Sequence, residues 1–179
     1  MRKVLYILGQ LHDRDIEWLA RVGERRRLSP RKVMIREGEP IDALYILLDG
    51  RMSVKVEGVG VVAEMGTGEI IGELSLVENG PASATVTAVE DCNLLAIAHD
   101  QLKARLDQDD AFGHRFYRAL AMLLADRLRD RVKRVHYRDQ GDLAGDDVLA
   151  DELDEQLLDT VSLAGERFDR MLKMLAGRT

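Results

Sequence analysis

Seven glycines lie between residues 38 and 72, at Gly38, Gly50, Gly58, Gly60, Gly66, Gly68 and Gly72, each beside a short apolar run. Segments cut this short leave no room for long helices, which restricts the region to strands and tight turns. Residues 32–36, 43–48, 51–56 and 60–64 alternate or run apolar between Gly, Pro and Asp, and residues 83–89 and 93–98 continue the series. Strands at this spacing, without intervening helices, predict an antiparallel β-roll, jelly-roll-like, over residues 24–98.

The flanks carry the helical period instead. Asp13 is placed to cap a helix through Ile16, Trp18, Leu19 and Val22 that ends at Gly23. A short helix through Leu102 and Leu106 leads into a long one over about residues 111–137, with Phe116, Leu120, Leu124, Leu128, Val132 and Val135 on one stripe. A helix of about 40 Å outruns a small barrel, so the exposed part of the stripe, centred on Leu120, Leu124 and Leu128, needs another partner. The tail reads as an acidic linker, a helix over residues 147–158 and a final helix capped near Ser162, with Leu163, Phe168, Met171, Leu172 and Leu175 as its apolar set.

The segment Gly72-Glu73-Leu74-Ser75-Leu76 followed by Pro81-Ala82-Ser83-Ala84-Thr85-Val86 carries the strongest functional signal. A glycine before Glu-Leu and a small residue permits a tight helical turn with free N–H groups, a setting for an anion. This stretch resembles the cassette of the cyclic nucleotide-binding domain, roughly Gly-Glu-Leu-Ala-Leu, then Pro-Arg-Ala-Ala-Thr-Val. Residues 37–50, a glycine turn and a strand ending in Gly50, resemble that family's second hallmark in the right order. The resemblance covers about residues 10–137. It implies a catabolite-activator-like β-roll with cAMP or another cyclic nucleotide as ligand. It also implies a homodimer through the long helix, at residues 111–138 here, where a self-complementary stripe suits a two-fold contact.

By the same resemblance Gly72, Glu73, Leu74, Ser75, Ala82, Ser83, Ala84 and Thr85 form the ligand site. Glu73 accepts from the ribose 2′-hydroxyl, Ser83 and Thr85 offer hydroxyls, and backbone N–H groups of residues 73–76 and 83–84 meet the phosphate. Ligand-binding members carry an arginine after the Pro, where this chain has Ala82. A charge-assisted pair there contributes about 1.5–3 kcal/mol, and losing about 3 kcal/mol weakens a ligand roughly a hundredfold. A cation from the long helix can help to compensate: Arg131 aligns with the base-contacting position, with Arg127 and Arg134 one turn away, and an arginine there can pair bidentately or stack. Two readings stay open, a ligand-binding regulatory sensor and a dimeric protein-interaction scaffold that no longer binds nucleotide.

Charge and composition exclude other classes. With 179 residues, of which 46% are hydrophobic, the chain can bury a proper core. It divides into residues 1–110 (helix plus roll), 111–138 (dimerisation helix) and 139–179 (acidic helical tail). Residues 112–138 carry eight Lys or Arg against two Asp, whereas residues 139–179 carry eleven Asp or Glu against four basic residues. Pairing within the protein is the expected use of that contrast. The net charge of −6, and a tail without a winged recognition helix, predict no DNA partner. No apolar run is long enough to span a bilayer and no signal peptide is read at Met1-Arg2-Lys3, so a cytoplasmic, non-membrane protein is expected. His12, His99, His114 and His136 are scattered over four elements, so no metal site is read, and no nucleophile elbow or cofactor motif suggests an enzyme. Cys92 reads as structural.

Overall fold

The computed structural model describes residues 8–139 and 155–177. Eight strands follow one another as β1 (Glu24–Leu28), β2 (Val33–Ile35), β3 (Ala43–Asp49), β4 (Met52–Val56), β5 (Gly60–Met65), β6 (Ile70–Ile71), β7 (Thr85–Ala88) and β8 (Cys92–Ala98). They form two four-stranded sheets, β1-β8-β3-β6 and β2-β7-β4-β5, antiparallel throughout. This is the β-roll that the glycine punctuation predicts. The helices are α1 (Asp13–Val22), α2 (Glu73–Glu78), α3 (His99–Gln108), α4 (Asp110–Asp139) and α5 (Glu155–Ala176).

The wholly apolar runs become the strands covered on both faces. From β3, Ala43, Tyr45 and Leu47 point into the roll, while Leu44, Ile46 and Leu48 face the helices. From β8, Leu94 and Ala96 point inward, and Leu95 and Ile97 outward. One core therefore fills the roll and a second lies between its outer face and α1, α3, α4 and α5. Each large aliphatic chain removed from water there contributes about 1.5–3 kcal/mol.

One strand escapes the apolar pattern. In β1 the sequence Glu-Arg-Arg-Arg-Leu leaves its first four residues exposed. Pairing with β8 from Glu24↔Ala96 to Leu28↔Cys92 makes it a strand, since backbone groups at a sheet edge need no buried side chains. Strand β6, Ile70–Ile71, is apolar and buried but only two residues long.

The helices bring three corrections. His12, not Asp13, is the N-cap of α1, and its N–H donates to the Asp15 carboxylate at 2.9 Å. Ser162 does not cap a helix, because α5 runs unbroken from Glu155 to Ala176; of the helix expected at 147–158, residues 147–154 lie outside the described residues. The stripe of α4 is largely covered by its own chain. Phe112, Phe116, Ala119, Leu120 and Leu123 are buried against the other helices and Leu124 is half-buried. Outward exposure begins only at Leu128 (64%) and continues at Val132 (61%).

The tail segment is anchored by its cations. Ala164, Phe168, Met171 and Leu175 of α5 enter the helical core. Buried Arg167 donates to Asp13 Oδ1 at 2.8 Å and to the carbonyls of Leu8 (3.0 Å) and Gly9 (3.2 Å), and Arg170 reaches Asp13 Oδ2 at 2.6 Å. These pairs run from arginines of the tail to an acid of α1; the pairing expected between the acidic residues 139–155 and the basic end of α4 falls on side chains outside the described residues.

Candidate functional site

Gly72 sets the site's geometry. Its φ of 91° is a left-handed conformation, and a Cβ built on it would lie 2.6 Å from the Ala43 carbonyl oxygen. Only glycine joins β6 to α2 this close to β3. The turn swings the first residues of α2 against a cavity of about 520 Å³ inside the open end of the roll. Ile35, Ile41, Val54, Val56, Ile71 and Val86 supply apolar walls, and Gly72, Glu73, Leu74, Ser75, Ala82, Ser83 and Ala84 line the polar end. Leu124, Arg127 and Leu128 close one side, so α4 is part of the wall.

Of the residues expected to form the site, the cassette from Gly72 to Ser75 and Ala82 to Ala84 meets on this one cavity. Thr85 is not among the lining residues, because its hydroxyl accepts the Glu37 N–H at 3.1 Å and braces the preceding turn. The Ala82 methyl is buried, and its N–H donates to the Glu39 carbonyl at 2.8 Å while its own carbonyl accepts from Gly38 at 2.8 Å. Leu76 N–H is committed to the Gly72 carbonyl at 3.2 Å, which removes it from the donors expected for a phosphate. The side chains of Arg131 and Arg134 lie outside the described residues.

The cation that reaches the cassette is Arg127. Its guanidinium pairs with the Glu73 carboxylate, approaches Glu69 Oε2 at 3.4 Å and donates to the Ile70 carbonyl at 2.6 Å. Burial pushes the Glu73 carboxyl above its usual 4.5, opposed by the charge of Arg127 and by a hydrogen bond from its own backbone N–H. Glu73 is thus already partnered within the protein. The sequence pointed to a basic residue on this helix without selecting this one, since periodicity does not say where a turn of α4 crosses α2. Glu64 and Glu69, also on the wall, had no motif to announce them.

Behind the cassette, His99 at the start of α3 is buried. It hydrogen-bonds to the Gly72 backbone, and its Nε2 has no partner. Burial, assisted by the Lys103 charge, holds its pKa below the usual 6.5. Cys92 is buried and its thiol donates to the Arg51 carbonyl at 3.2 Å. Among the described residues no group of three or more His, Cys, Asp and Glu could hold a metal ion, and no helix is long and apolar enough to cross a membrane.

Comparison with known proteins places this geometry. The model of the cyclic nucleotide-binding domain matches residues 25–109. The chain is 35% identical over 111 residues to the cyclic AMP receptor protein of Thermus thermophilus, covering 59% of this chain and 50% of that protein. It is 34% identical over 119 residues to an uncharacterized NTE family protein of Mycobacterium tuberculosis, covering 66% of this chain and 20% of that protein. The chain therefore spans a fifth of one relative and half of the other. In fold it is similar to a cyclic nucleotide-binding domain from Methylobacillus flagellatus, with a TM-score of 0.68 at 24% identity over 79% of this chain and 85% of that one.

Proposed function

Given that residues 25–109 belong to the cyclic nucleotide-binding domain family, we propose that the chain is a non-enzymatic sensor module that takes a cyclic nucleotide into the roll cavity and passes its occupancy on through α4. The observation that carries this reading is the composition of the cavity wall, where cassette residues and Leu124, Arg127 and Leu128 of α4 share one space of about 520 Å³. That volume lies within the range of small-molecule sites, about 300–1,000 Å³. A ligand touching both elements binds one placement of α4 better than another, and that difference is what shifts a population. An open cavity with a polar end supports this over a scaffold that has lost its ligand.

The ligand would lie with its phosphate toward Ser83 and Ala84 and its ribose toward Glu73, with Leu124 and Leu128 over the base. Calorimetric titration with cAMP, cGMP and cyclic dinucleotides tests the reading. Saturable heat with one of them is expected, and silence from all of them at millimolar concentration would remove it.

The module acts as a homodimer through residues 111–138, on this reading. Leu128, Val132 and Tyr117 of α4 are exposed, and apolar chains in a row on a long helix suit a symmetric contact. Leu128→Glu should turn a dimer into a monomer by light scattering, whereas a wild type that is already monomeric at tens of micromolar would refute the contact. A protein partner that reads the helix position, and a cytoplasmic setting, complete the proposal.

A further inference from the structure

We propose that Arg127 stands in for the missing cassette arginine by exchanging partners: the ligand phosphate and the Glu73 carboxylate compete for one guanidinium. The inference rests on the cyclic-nucleotide reading above and adds the residue that decides affinity. Among the described residues the ionisable groups lining the cavity are Glu64, Glu69, Glu73 and Arg127, three acids against one cation. Where the resemblance places an arginine, Ala82 offers a buried methyl group. An entering phosphate therefore meets a wall on which, among the described residues, acids outnumber cations, and Arg127 is the described side chain placed to neutralise it.

That guanidinium is already bound to Glu73, Glu69 and the Ile70 carbonyl. Phosphate and carboxylate present the same acceptor geometry to its planar fork, so one can replace the other without loss of a charge-assisted bond. Holding both anions side by side in a partly buried site is unfavourable. The displaced Glu73 must then gain a donor, either a ligand hydroxyl or a proton, and its burial already favours the protonated form. Arg127 belongs to α4, so the exchange moves a contact from the cassette to the ligand and alters how the helix is held. An uncharged nucleoside cannot drive it.

The opposite role for Arg127 is that of a plug, and the two roles predict opposite signs. Isothermal titration with cAMP, cGMP and adenosine on wild type, Glu73→Gln, Arg127→Gln, Ala82→Arg and the Ala82→Arg/Arg127→Gln pair separates them. Exchange predicts that Glu73→Gln tightens cyclic nucleotide binding about tenfold by removing the competitor. Arg127→Gln should weaken it about tenfold to a hundredfold, and Ala82→Arg should restore it in the Arg127→Gln background. Adenosine should be little affected by either charge change. Cyclic nucleotide binding that Arg127→Gln leaves unchanged or tightens overturns the exchange alone, as does binding confined to Ala82→Arg. No cyclic nucleotide binding by wild type, Glu73→Gln or Ala82→Arg at millimolar ligand overturns the nucleotide reading and the exchange with it. Should Arg127→Gln not fold, Arg127→Lys, which keeps the charge and loses the fork, is expected to weaken binding, and undiminished binding would again overturn the exchange.

Discussion

Two carboxylates near helix starts are each gripped by an arginine of α4, and the surroundings of the two grips differ completely. Asp15 of α1 is fully buried and receives Arg115 at 2.9 and 3.1 Å, with Arg105 at 3.5 Å. Glu73 of α2 receives Arg127 at the rim of an empty space. Twelve residues separate the two arginines, about 18 Å along the helix. At the lower grip, Trp18 and Phe112 flank Arg105 with ring centroids at 4.9 and 4.8 Å; Trp18 and Arg105 border a second cavity, but Asp15 and Arg115 are not among its lining residues. At the upper grip both members of the pair, Glu73 and Arg127, line the roll cavity. An arginine–carboxylate pair holds α4 at both levels, and cavity access, not pair chemistry, separates the two.

The most severe way to break this contrast is to remove the lower carboxylate. Asp15→Asn strands half-buried Arg115 and takes the charge from a fully buried pair member, and should cost about 3–5 kcal/mol in urea unfolding; a loss below about 1 kcal/mol would mean that the lower grip is no firmer than a surface pair. Next comes the α5 anchor on the same helical layer. Arg167→Met removes charged hydrogen bonds to Asp13 and to two carbonyls and should cost about 1.5–3 kcal/mol. Unchanged stability would show that Phe168 and Met171 hold α5 without it.

Glu73→Gln should cost less than about 1 kcal/mol of stability, since Arg127 keeps Glu69 and the Ile70 carbonyl and lies beside open space. A loss as large as that of Asp15→Asn would erase the distinction between the two grips. The smallest effect concerns acid. His99 titrates below 6.5 when folded, so the unfolded chain takes up its proton first and stability declines as pH falls through 6.5. His99→Gln should flatten that part of a melting-temperature profile, and an unaltered slope would assign it to other groups.

Much of the fold was legible because its signals are local. Gly50 and Gly72 mark corners whose φ of 100° and 91° only glycine adopts easily, and the runs at 43–48 and 93–98 carry the apolar content of strands buried on both faces. Strand β1 was not legible, since Arg25, Arg26 and Arg27 are placed by backbone pairing with Leu95, Leu94 and Asn93. Nor was the seam at Leu120, which shares the stripe's period with Leu128 but is covered by the helical core. Where α4 stops being covered depends on how far the other helices extend, and periodicity carries no such length.

For the site, the sequence by itself determined the cassette, the glycine that bends it and the absence of an arginine at position 82. Those are properties of neighbouring residues, fixed by backbone conformation and side-chain identity. Tertiary structure alone decided that Arg127 is the cation at Glu73, that Thr85 braces Glu37, and that Arg115 and Arg127 grip different helices. Ion pairing depends on separations of a few ångströms between residues far apart in the chain. Residue 127 meets residue 73 only after the roll has closed and α4 has packed across its open end.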